Sequence, residues 1–144
     1  MMEIRQIAHL AAFVATSYAA PAHAVERADK TDTELRRCLD GASNASTAGQ
    51  VGCEVAARDA YDKRMGAAYR ALLRALPNDA AGKLREAQRA WLRFRDAHIQ
   101  ASNALFATRQ GTMYVPMQAA DHTAIVRQRA IELEAQLRIF RIDE

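Results

Sequence analysis

Proline and glycine are scarce in this chain, at three and six residues of 144. So few breakers leave few turns, and the remainder is rich in alanine, which loses no side-chain entropy in a helix. The composition therefore favours helix. Cysteine is rarer still, with Cys38 and Cys53 alone. There is no Cys-x-x-Cys or His-x-x-x-His spacing, and His98 and His122 are isolated, so no metal set and no cofactor is expected. Neither a Ser-His-Asp nor a Cys-His arrangement is legible, which removes the ordinary nucleophilic chemistries. No aromatic-basic stripe suggests nucleic acid. Arg58, Lys63, Arg64, Arg70, Arg74, Arg85, Arg89 and Arg93 alternate with acids and read as a solvated face.

At the start, Arg5 precedes an apolar run from Ile7 to Ala20, and Ala22-His23-Ala24 supplies small residues at the positions a signal peptidase reads. The run is too short to span a bilayer. Residues 1–24 are expected to be an export signal and residues 25–144 one helical domain, periplasmic or secreted. Val25, not cysteine, follows the cleavage point, so neither a lipid anchor nor any other stable membrane anchor is expected. Glu3 and Arg5 leave together, and the net charge of +3 is unchanged. In an oxidising compartment the two cysteines are expected to pair. They would close the flexible segment that contains Asn44-Ala45-Ser46, a sequon read here as loop chemistry.

Thr31 and Glu34 have capping-box spacing and predict a short helix from about Asp32 to Leu39. After a loop from Asp40 to Gly52, a second helix is predicted from about Val51 to Leu76. Its apolar stripe is Val55, Met65, Tyr69, Leu72, Leu73 and Leu76. Pro77 stops it, and Asn78 or Asp79 is expected to cap a third helix from about Ala80 to Ala107. That helix would bury Leu84, Ala87, Trp91, Phe94, Ala101 and Leu105, with His98 on the same face as a hydrogen-bonded core-edge histidine. A fourth would run from Val115 or Pro116 to about Ile139, burying Ala119, Val126, Ala130, Leu133, Leu137 and Phe140 beside a similar histidine, His122. The expected fold is all-α: three long helices, a short N-terminal one and a central antiparallel hairpin. The short Leu76–Asp79 link sets Leu72 level with Leu84, Met65 with Trp91, Tyr69 with Gln88, and Asp62 with Arg95, predicting an Asp62–Arg95 ion pair.

The spacing Asp62-x-x-Met65-x-x-x-Tyr69-x-x-Leu72, followed by Leu84-x-x-x-Gln88-x-x-Trp91-x-x-x-Arg95-Asp96, resembles the LprI-type lysozyme inhibitor domain. Cys38 and Cys53 precede it, and Gly111, Met117, Arg129 and Leu133 fit its later loop and final helix. The resemblance covers about residues 38 to 135. Met65 and Gly66 depart from the family's Leu-Asn, Ile99 stands where a third cysteine belongs, and Asp121 stands near the fourth, so a second bridge is absent. The resemblance implies a helical exported protein whose partner is a protein, a lysozyme, and whose function is to block it by contact. Asp62, Tyr69, Gln88, Trp91, Arg95 and Asp96 read as structural motif residues. An arginine beside Asp62 suits a structural pair better than a general acid, so no catalytic residue is assigned. An inhibitor must present hydrogen-bond donors or a cation to a carboxylate-lined sugar cleft. Arg109, Gln110, Thr112 and Tyr114, around Gly111, have that chemistry and are the candidate contact residues. The alternative is a non-catalytic envelope interaction or immunity module with a different protein partner.

Overall fold

The computed structural model describes residues 28–143; the expected export signal lies outside them. Four α-helices make up the fold: α1 (Lys30–Leu39), α2 (Thr47–Ala75), α3 (Asn78–Ala107) and α4 (Tyr114–Phe140). A single 3-10 turn, Ala42–Asn44, links α1 to α2, and another, Arg141–Asp143, follows α4. The chain is an all-α helical bundle, as its composition implies.

The helix ends follow local chemistry. Asp29 caps α1, its Oδ1 accepting from the amides of Thr31 and Asp32 at 2.9 and 3.2 Å. The expected Thr31–Glu34 capping box is therefore displaced by two residues, and Thr31 is buried instead. α2 begins four residues earlier than predicted, because Ser46 caps it by accepting from the Gly49 amide at 3.1 Å. Asn44 donates to the Cys38 carbonyl at 3.0 Å, so both polar residues of the sequon are occupied in shaping the turn. A Cβ at Gly49 would lie 2.7 Å from the Asn44 Cα, which is why a glycine sits in this first turn. Leu76, ahead of Pro77, is extended at ψ 145°, as pre-proline crowding demands. The expected side-chain cap at Asn78 or Asp79 is not made: Pro77 is the cap residue and α3 starts at Asn78.

Pairwise contacts give the topology. Thr123 on α4 donates to the Glu54 carbonyl on α2, and Arg64 on α2 meets Glu134 on α4. The numbers advance together, so α2 and α4 are parallel. α3 runs against both, with Gln88 facing Met65 and Arg129, and His98 facing Asp121. The hairpin of α2 and α3 is thus present, but α2 packs mainly against α4. Small residues explain this preference: Ala57, Ala68 and Ala130 are buried among Tyr61, Met65, Leu72, Ile125, Val126 and Leu133 and permit close approach. α1 runs antiparallel beside α2, from Asp29 at Arg64 to the Cys38–Cys53 disulfide.

The predicted stripes are partly rephased. On α2 the buried line is Tyr61, Met65, Ala68 and Leu72, whereas Val55, Tyr69, Leu73 and Leu76 are half-buried. On α3 the difference is larger: Ala81, Gln88 and Ser102 are buried, while Ala87, Phe94, Ala101 and Leu105 are exposed. Leu84, Trp91 and His98 belong to both phasings and are half-buried. α4 keeps its predicted line and adds Thr123, Ile125 and Arg129, because it is covered on two sides.

Candidate functional site

The motif residues divide by role. Gln88 sits at the junction of three helices, its amide nitrogen 3.9 Å from the Met65 sulfur and its oxygen accepting from Arg129 Nε at 3.0 Å. Trp91 and Tyr69 pack against the core, and the Arg95 guanidinium lies 5.6 Å from the Trp91 ring centroid. Two expected pairs are not made. Arg95 bonds to its neighbour Asp96 at 2.7 Å, and Asp62 is exposed without it. Gln88 meets Met65 rather than Tyr69, one helical turn away, because α3 is rotated so that its polar seam faces inward.

A second cluster escaped the sequence reading. Arg64 bridges Asp29 and Glu134, each at 2.7 Å, and also reaches Thr31 Oγ1 at 3.0 Å. Arg127 binds Asp32 through two nitrogens. Tyr61 lies beneath, donating to Asp32 at 2.5 Å, with the two guanidiniums 4.9 and 5.9 Å from its ring centroid. Arg64 is therefore not part of a solvated face. A cavity of about 630 Å³ opens beside these groups, bounded also by Ile131 and Arg138. Three acids and three arginines line it, so its charges balance. The spacing that could have revealed the cluster is Tyr61–Met65–Ala68–Leu72, which carries the interleaved Arg64 to the edge of the core; the alanine hid it.

Hydrogen bonds from Arg64 hold the Asp29 carboxyl well below the usual carboxylate range, and those from Arg127 lower Asp32 likewise. Burial, then contact with Asp32, pushes the Tyr61 hydroxyl above its ordinary value, so it remains a donor. A carboxyl whose folded value is depressed stabilises fully above its unfolded value, near 4, and loses that contribution as pH falls. The melting temperature is expected to hold from pH 7 to about 5. Below about pH 4 it should drop, with the cluster losing on the order of 2 kcal/mol. Asp29→Asn should flatten that acid limb in thermal melts across pH; an unchanged limb would exclude the cluster as its origin.

The tip of the bundle differs. There α3 and α4 meet at residues 108–113, where Gly111 takes φ 115°, a left-handed conformation that favours glycine. Arg109, Gln110 and Thr112 are exposed, and Tyr114 is half-buried at the start of α4. Around them Leu105, Met113, Val115 and Met117 are each about half exposed or more, reaching 64% at Met113. Apolar side chains gathered at a tip and ringed by hydrogen-bonding groups have the composition of a protein-contact surface. Among the described residues, no group of three or more His, Cys, Asp and Glu is placed to hold a metal. No described helix is long and apolar enough to cross a membrane.

Comparison with known proteins agrees with this anatomy. The family model described as lysozyme inhibitor LprI matches residues 38–133, from the first cysteine to the buried Leu133. A crystal structure of an uncharacterized protein from Burkholderia thailandensis superposes with a TM-score of 0.71 at 36% identity. The alignment covers 78% of this chain and 56% of that one, so this chain spans little more than half of that protein's length. No curated protein matches.

Proposed function

The chain belongs to the lysozyme inhibitor LprI family, and on that premise we propose that it is an exported, non-catalytic protein that blocks a lysozyme-like muramidase by surface contact. The observation that carries this is the tip formed by residues 105–117. Leu105, Met113, Val115 and Met117 offer apolar area, and Arg109, Gln110, Thr112 and Tyr114 offer hydrogen bonds to a carboxylate-lined cleft. The Arg64 and Arg127 clamp at mid-bundle, which pairs Asp29, Asp32 and Glu134, supplies rigidity. Asp62 and Asp96 are exposed, and Asp96 is held by Arg95, which suits surface pairing better than acid-base chemistry.

A net charge of +3 gives no long-range attraction toward a strongly basic lysozyme. Docking therefore rests on short-range contact. The test is a cell-wall lysis assay with purified protein and a panel of muramidases. Inhibition of at least one enzyme is expected, with Arg109→Ala and Gln110→Ala each weakening it about tenfold at unchanged helicity. No slowing of lysis by any enzyme at large molar excess would reject the reading. The positive charge, together with Ile99 at one of the family's cysteine positions and Asp121 near another, favours one second reading, an envelope interaction or immunity module with another protein partner. A single stoichiometric non-muramidase protein recovered from periplasmic extract would select it.

A further inference from the structure

Just inside the tip, between α3 and α4, lies a cavity of about 350 Å³ lined by His98, Ala101, Ser102, Leu105, Phe106 and Asp121. Its walls are apolar, and the Asp121 carboxyl stands beside them with its side chain 37% exposed. Ser102 is only 7% exposed, and its hydroxyl is buried without a hydrogen-bond partner among the described residues. A buried hydroxyl in that state is unfavourable unless something binds it. Asp121 contacts His98 Nε2 through Oδ2 at 3.1 Å, whereas its Oδ1 has no bonding partner among the described residues. No lysine or arginine among them lies within salt-bridge distance of Asp121. The neighbouring His122 was expected to be hydrogen-bonded, yet its Nε2 is buried without a partner. Burial chiefly pushes it below the ordinary histidine range; the field of Asp121 opposes that shift, and those of Arg58 and His98 add to it. Asp121 also stands near a position where the family pattern carries a cysteine. Near a place given elsewhere to a cross-link, this chain carries a carboxyl group beside a cavity.

We propose that this cavity is the anchor pocket for one arginine or lysine side chain of the protein partner. The stem lies against Ala101, Leu105 and Phe106, and the cation meets Asp121. A volume near the lower limit of ligand cavities suits one long side chain better than a glycan. The pocket gives a +3 protein a local acidic foothold on a basic partner. The identity of the partner rests on the inhibitory reading above; the chemistry of the cavity does not.

The probe is n-butylguanidinium, titrated into ¹⁵N-labelled protein and followed by amide chemical shifts. Saturable shifts at His98, Ser102 and Asp121 are expected at millimolar concentration, with no such response to n-butyrate. Asp121→Asn should weaken binding at least tenfold. Equal response to butyrate, or unaltered binding by Asp121→Asn, would overturn the pocket. In the lysis assay, the two ideas separate. Inhibition unaffected by Asp121→Asn rejects the pocket and leaves the function standing. Asp121-dependent binding of butylguanidinium by a protein that inhibits no muramidase keeps the cavity's chemistry and rejects the muramidase as its partner.

Discussion

Arg129→Ala is expected to lower stability by about 3 kcal/mol and the melting temperature by about 10 °C. Arg129 is 7% exposed, and its guanidinium bonds to Gln88 at 3.0 Å and to Glu132 at 3.0 Å. Removing it has two costs. A hydrogen bond from a charged donor is worth roughly 1.5–3 kcal/mol, and its loss leaves the buried Gln88 oxygen unpaired. The aliphatic stem also leaves a void among packed neighbours, which relax only in part. Because Arg129 holds α3 to α4 at the centre of the bundle, the variant should loosen α3 first. A double-mutant cycle with Gln88→Ala, read by thermal or urea unfolding, should give a coupling of about 1–2 kcal/mol. Strict additivity would mean that the contact contributes nothing and that α3 is held by packing alone.

Replacing both cysteines with serine is the other large effect, about 3 kcal/mol for a loop of this size in the chain-entropy description. The bridge joins positions 15 residues apart and fixes the C-terminal end of α1 on α2. The N-terminal end is held independently, by Asp29 and Asp32 on Arg64 and Arg127. α1 is therefore tied at both ends by unlike chemistries. Without the bridge, the last turn of α1 should lose hydrogen-exchange protection while residues near Asp32 keep theirs at pH 7. With Arg64→Ala and Arg127→Ala added, protection should vanish along the whole helix. An α1 that stays uniformly protected without its cysteines would show that packing on α2 suffices.

Helix number, the disulfide and the α4 seam are legible in the sequence because each has a local cause. Pro77 ends a helix by steric exclusion, and Val126, Ala130, Leu133 and Leu137 repeat at one angular phase. Less is legible where two phases share residues. On α3, Leu84, Trp91 and His98 fit either the apolar line through Phe94 and Leu105 or the polar line through Gln88 and Ser102. Hydrophobicity selects the first. The fold takes the second, because Gln88 satisfies Arg129 and His98 reaches Asp121, and these pairings are tertiary. The same inversion leaves Phe94 and Leu105 exposed. Asp29, ahead of the predicted start of the first helix, carries no pattern at all. Its role depends on Arg64, thirty-five residues away, and sequence spacing does not encode that distance. The loop residues Arg109, Gln110 and Thr112 were selected by chemistry alone, and the fold places them on an exposed tip beside apolar residues that spacing had assigned to no surface.

Hydrogen exchange of the protein with and without a muramidase it inhibits addresses the central claim most directly. The account predicts new protection confined to residues 105–117 and the adjoining turn of α3 that holds His98 and Ser102, with α1 and the Arg64 cluster unchanged. Protection centred on α1, Asp29 and Arg127, with the tip exchanging as freely as before, would contradict it.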